Sequence, residues 1–144
     1  MARCFLNGGF DPVGLDLRPT SVEAMRKLGF EAHCLDVTAF DSPNRFSVVS
    51  MADVLEHMPF PKDGLGAAYR LLAPDGVLFV SMPNYDCAAW RLLDIVKANP
   101  YWGELERYHN FSRARLYALL DECGFEPLHY AISDRSSRHR RSRR

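Results

Sequence analysis

The stretch SVVSMADVLEHMPFP, residues 47–61, decides the fold. An apolar run around Val48, Val49 and Met51 delivers Asp53, Glu56 and His57 within a few residues and then meets Pro59 and Pro61. A short run rich in β-branched residues favours a strand, and its near-continuous apolar character fits one covered on both faces. A buried strand that opens into a cluster of polar groups is how α/β proteins build a site. A strand followed by a solvated loop is the plainer alternative.

Outward from this stretch, apolar runs recur at residues 12–17 (PVGLDL), 31–37 (EAHCLDV), 46–51 (FSVVSM), 77–82 (VLFVSM) and 125–132 (FEPLHYAI). Helical patterns lie between most of them. Thr20 or Ser21 can cap a helix carrying Val22, Met25 and Leu28, with Gly29 suited to its left-handed exit. Pro61 opens a second helix, with Leu65, Ala68, Tyr69 and Leu72 on one face and a Pro74-Asp75-Gly76 turn behind it. Asp86 can start a third, with Ala89, Leu93 and Val96 inward. Ser112 caps a fourth, in which Leu116, Leu119, Leu120 and Cys123 share a face before Gly124. Residues 38–45 are too few for a crossover helix, so a single turn or loop must serve there. Strand and helix in alternation predict a parallel sheet with helices on its faces.

The 144 residues suffice for one domain, and 47% hydrophobic with 25% charged residues is ordinary globular composition. No apolar run approaches the roughly 20 residues that cross a bilayer. The amino end, MARCFLNGGF, lacks the pattern of a signal peptide, so a cytoplasmic location is the expectation. The zero net charge hides an asymmetry, because RSSRHRRSRR (residues 135–144) carries six arginines and leaves residues 1–134 at about −6. The division expected is a domain over 1–134 and a disordered basic tail over 135–144. Such a tail can meet nucleic acid, but no aromatic side chain stands in it to stack on bases. Cys4, Cys34, Cys87 and Cys123 form no C-x-x-C pair, so no metal site is expected, and Cys34 and Cys123 read as buried free thiols.

Ligands of such sheets bind beyond the carboxyl ends of the strands. Asp16 ends the first run, where a carboxylate can accept from both hydroxyls of a ribose; capping the following helix is the other reading. Asp36 ends the second run. There an acid can accept from an exocyclic amine while Val37 packs on an adenine ring; the alternative is a loop acid. Two such acids, twenty residues apart at successive strand ends, favour an adenosine. No G-x-G-x-x-G occurs in the chain, which disfavours a nicotinamide-dependent dehydrogenase.

GLDLR, CLDVTAFD, FSVVSMADVLEHMPFP, RLLAPDGVLFVSMPN and YHNFSRARLYALLDECGF together resemble successive motifs of class I S-adenosylmethionine-dependent methyltransferases. The likeness is greatest to small-molecule O-methyltransferases of the ubiquinone-biosynthesis type. The resemblance implies an α/β, Rossmann-like, mostly parallel sheet with flanking helices, and S-adenosyl-L-methionine as cofactor. Asp16 would hold its ribose, Asp36 and Val37 would bracket its adenine, and Ala52 would offer main-chain contacts to its methionine part. VLEHMP would wall the sulfonium, with Val54 and Leu55 packed beneath and Glu56 in a structural bond. Asn84 and the segment NPYWGELERYHNFSR would line a pocket for a small-molecule acceptor. His57 and His109 are the candidate bases for a hydroxyl acceptor; a half-buried histidine bonded to main chain is the alternative for each. His33 and His129 read as structural.

The resemblance also implies a strand and a glycine-rich loop ahead of Asp16, and a hairpin strand after Ile132. MARCFLNGGFDPVG and RSSRHRRSRR supply neither, so the expected sheet is truncated at both ends. Such a sheet must close differently, borrow a strand in a homo-oligomer, or lose stability. A truncated, non-catalytic remnant serving as an interaction domain is the rival reading.

Overall fold

The computed structural model describes residues 8–99, 103 and 107–132. The chain falls into two units, residues 1–49 with 63–78 and residues 50–62 with 79–144. Cys4, Tyr101, Trp102 and the basic tail lie outside the described residues.

In the first unit, β1 (Val13–Leu15) and β2 (Glu31–His33) are parallel neighbours, with Val13 opposite Glu31 and Leu15 opposite His33. The connection between them is α1 (Pro19–Lys27), which packs on both strands and buries Val22. Strand, helix and parallel strand make one βαβ unit, as the alternation predicts. The helix starts at Pro19, earlier than the Thr20 or Ser21 cap expected from sequence, and Arg18 is its N-cap residue without a side-chain bond. Proline's fixed φ and missing N–H suit a first turn. Gly29 leaves the helix at φ +87°, the left-handed exit that glycine accepts without strain. Arg26 ties the helix to β2, its Nε donating to the Ala32 carbonyl at 2.9 Å.

β2 ends at His33, and Val37 stands in a 3-10 turn (Val37–Ala39), not in the strand; this is the single turn that the short connection required. β3 (Phe46–Ala52) pairs with β4 (Leu72–Ser81) in a second two-stranded sheet, and no strand among the described residues joins the two pairs. Between β3 and β4 runs α2 (Pro61–Leu71), opening at the expected proline. Its inward face carries Leu65, Ala68 and Leu71, whereas Tyr69 points outward at 55% exposure. Leu72 already belongs to β4, and the Pro74-Asp75-Gly76 turn is a kink within that strand, with Asp75 at φ +60°.

In the second unit, α3 (Ala88–Ile95) begins after Asp86 and buries Trp90, while Ala89 and Val96 are exposed. The Cys87 Sγ accepts from the Trp90 N–H at 3.4 Å, which shifts the cap one residue past the expected start. α4 (Arg113–Glu122) is capped as the sequence requires, Ser112 Oγ accepting from the Arg115 N–H at 3.1 Å. Lys62 Nζ pairs with the Glu122 carboxylate at its far end. Gly124 follows with φ +83°. Residues 125–132 are not a strand. An extended segment becomes one only with a neighbour to bond, Pro127 donates nothing, and Leu128 and Ile132 are 78% and 69% exposed.

Cys34 and Cys123 are free thiols, but Cys34 is exposed rather than buried and donates weakly to the Leu17 carbonyl at 3.5 Å. Burial pushes the half-buried Cys123 thiol up.

Candidate active site

Asp16 directly follows β1, and its N–H donates to the His33 carbonyl of β2 at 3.3 Å. The carboxylate is held from one side by Arg18. The Arg18 N–H donates to Oδ1 at 2.8 Å, and the guanidinium reaches both oxygens, at 3.1 Å and 3.0 Å. These bonds to Arg18 hold the Asp16 carboxyl below the usual aspartate value, with Ser21 adding a smaller contribution. Asp16 does not cap α1, whose N-cap residue is Arg18 without a side-chain cap bond; it braces that residue through these bonds instead. A carboxylate offers about four lone-pair positions, and the Asp16 side chain keeps 23% exposure, so it retains acceptor capacity for hydroxyl donors.

Asp36 lies three residues past β2, at the same end of the parallel pair. Its Oδ1 accepts from the Thr38 N–H at 2.8 Å and from the Thr38 hydroxyl at 2.6 Å, capping the Val37–Ala39 turn. Both bonds fall on one oxygen, which leaves Oδ2 to meet an amine. Val37 is half-buried beside it. The two acids thus stand at the carboxyl ends of adjacent strands, an arrangement suited to a nucleoside held at sugar and base. Thr38 and Arg18 were not legible as site residues from sequence, because neither role follows a motif.

The second unit carries the other half of the candidate residues. Ala52 closes β3, and Asp53 turns the chain at φ +54° with its N–H bonded to the Ser81 carbonyl of β4 at 2.8 Å. A left-handed aspartate at a strand end is uncommon and marks a turn that its surroundings enforce. The Leu55–His57 turn follows. Leu55 is fully buried, but Val54 is 39% exposed and does not pack beneath the turn as expected.

Glu56 is 1% exposed, and its structural bond is made by the main chain: its carbonyl accepts from the N–H groups of Tyr108 and His109, at 3.0 Å and 3.1 Å. Its two carboxyl oxygens are buried without a hydrogen-bond partner on another residue. Burial raises its pKa, opposed by its own main-chain N–H and then by nearby His57 and Arg107, while Asp53 adds to the rise. His57 is half-buried, with Nε2 at 3.9 Å from Glu56 Oε1. His109 Nε2 lies 3.2 Å from the Pro59 carbonyl, and its ring is 5.7 Å from that of Phe111. The turn therefore brings His57 and His109 into one hydrogen-bonded body.

Asn84 starts the approach to α3: its Oδ1 accepts from the Asp86 N–H at 2.9 Å, and Asp86 Oδ2 accepts from the Arg113 N–H at 3.0 Å. His33 pairs with Glu31 at 2.8 Å, and His129 is exposed outside any element. Among the described residues no group of three or more His, Cys, Asp or Glu is placed to hold a metal ion, and no helix is long and apolar enough to cross a membrane.

Residues 1–130 match the family described as a methyltransferase domain. A ubiquinone biosynthesis O-methyltransferase of Idiomarina loihiensis is 31% identical over 103 residues, covering 66% of this chain and 42% of that protein. One from Pseudomonas putida is 31% identical over 114 residues, covering 73% and 49%. The chain thus spans less than half the length of these relatives. Among solved structures, a SAM-dependent methyltransferase of Thermotoga maritima, described as a possible histamine N-methyltransferase, superposes with a TM-score of 0.67 at 21% identity. That match covers 88% of this chain and 59% of the other. A structure from Bacillus halodurans superposes with a TM-score of 0.61 at 22% identity, over 79% and 52%. By the match along residues 1–130 the chain belongs to the methyltransferase-domain family, and these solved structures share its fold.

Proposed function

We propose that this chain takes part in S-adenosylmethionine-dependent methyl transfer to a small-molecule acceptor through an oxygen nucleophile. The observation that carries the reading is the pair of carboxylates, Asp16 and Asp36, at the carboxyl ends of the parallel neighbours β1 and β2. Asp16 would hold the ribose hydroxyls, Asp36 Oδ2 the adenine amine, Val37 the ring face, and the main chain at Ala52 the methionine part. When bound, the cofactor supplies a methyl group already activated on a sulfonium, so the protein's task is alignment and handling of one proton. His57 and His109 are the groups that would accept that proton, and one hydrogen-bonded turn holds both. The relatives named for O-methylation support an oxygen acceptor.

Calorimetry with S-adenosylhomocysteine tests this. Micromolar binding that weakens roughly ten- to a hundredfold in Asp16→Ala is expected, the range for a hydrogen bond to a charged group. Absence of binding by the full chain would leave the rival reading, a non-catalytic interaction domain.

A further inference from the structure

Glu56 is the buried ionisable group that the proposed function leaves without a role. Its carboxyl is sealed in the turn, its oxygens have no hydrogen-bond partner on another residue, and His57 Nε2 stands 3.9 Å from Oε1. A buried polar group left unpaired is costly, so it persists where another demand holds it. We propose that Glu56 is a positioning residue for His57, serving as the counter-charge that holds the imidazole when it carries a proton. The inference rests on the methyl-transfer reading for its purpose, but its physical content lies in this turn.

In the reaction, the acceptor's O–H bond breaks, its electron pair stays on oxygen, and its proton moves to an imidazole nitrogen of His57. A cation then forms beside a buried carboxyl whose other favourable neighbours are its own main-chain N–H and Arg107. In such a water-poor turn the opposite charge is felt far more strongly than in solvent. The half-buried imidazole afterwards returns the proton to water. The other charged groups near Glu56 act in known senses: Arg107 also favours the carboxylate, and Asp53 disfavours it. The Tyr108 and His109 N–H groups bond the Glu56 carbonyl rather than its carboxyl, so they fix the residue without quenching its charge.

Carbon-13 NMR of the Glu56 carboxyl through a pH titration reads the coupling directly. In His57→Asn the titration midpoint of Glu56 is expected to shift upward, because the imidazolium no longer favours the carboxylate. His57→Gln should repeat the shift and guards against a folding defect in one variant. A midpoint that stays in place in both would overturn the inference, since the carboxyl and the imidazole would then not be coupled across the 3.9 Å between them. S-adenosylhomocysteine binding by the same samples is read separately. Its absence would sink the methyl-transfer reading while the titration still decides whether the two residues are coupled.

Discussion

His109 is bound to Glu56 through the main chain, its N–H donating to the Glu56 carbonyl at 3.1 Å, while its own Nε2 sits 3.2 Å from the Pro59 carbonyl. A carbonyl only accepts, so Nε2 must be the donor, and the neutral ring keeps Nδ1 as its basic nitrogen. His109 therefore closes a loop between residues 56–59 and 108–109. His109→Ala is expected to lower unfolding stability by about 1 kcal/mol, the usual net value of one such bond. Urea denaturation measures it, and an unchanged midpoint would mean that the Pro59 contact contributes nothing.

Asp16 and Arg18 form a pair whose acid dependence has a definite sign. The hydrogen bonds from Arg18 lower the folded-state pKa of Asp16 below its ordinary value of 3.8. A carboxyl with a depressed folded value contributes stability above the unfolded value, and that contribution is lost as pH falls through the folded one. Arg18→Ala should therefore be less stable than the wild type at neutral pH. It should also lose less on acidification, so that the two denaturation curves converge below pH 3.8. Parallel curves across the acid range would show that the pair does not titrate as described. Arg18 is largely exposed, so solvent screening keeps the effect small.

Much of this was legible in the chain itself, and the failures share a cause. Caps and exits are local, so Ser112, Gly29, Gly124 and the Pro61 start could be read from a few residues each. The acids at Asp16 and Asp36 were legible because a strand end is a local signal too. Residues 125–132 have strand-forming composition, yet a strand exists only with a partner, and pairing is not a property of one segment. Likewise Tyr69 and Val54 fit an apolar pattern, but what covers them depends on elements far along the chain. The bonds from Tyr108 and His109 to Glu56 join residues some fifty positions apart, and no spacing rule announces them.

Gly76 marks where β4 comes too close to other main chain for any side chain. A Cβ there would stand 2.9 Å from the Ala73 carbonyl oxygen and 3.1 Å from that of Phe46, both backbone atoms that cannot swing aside. The preceding Asp75 already sits at φ +60°, so the kink has little room to relax. Gly76→Ala is expected to cost about 1–3 kcal/mol, the range for overpacking against fixed neighbours. Thermal unfolding checks this. Full retention of stability would mean that the β3–β4 pair shifts to admit the methyl group.

Glu56 should leave its own mark on the pH dependence of stability, opposite in sign to that of Asp16. Burial raises its folded-state pKa above the ordinary 4.5, so the folded chain keeps this proton to higher pH than the unfolded chain does. Where the folded state binds more protons, stability falls as pH rises. The loss begins near the unfolded value and is complete above the folded one. Glu56→Gln keeps the shape and removes the titration. Relative to the wild type, it should gain stability as pH is raised above the ordinary value of 4.5 and through the raised folded one, with urea midpoints at each pH as the measure. A wild-type and variant difference that is flat across that range would show that the Glu56 carboxyl is better solvated, or better paired, than its 1% exposure and unbonded oxygens imply.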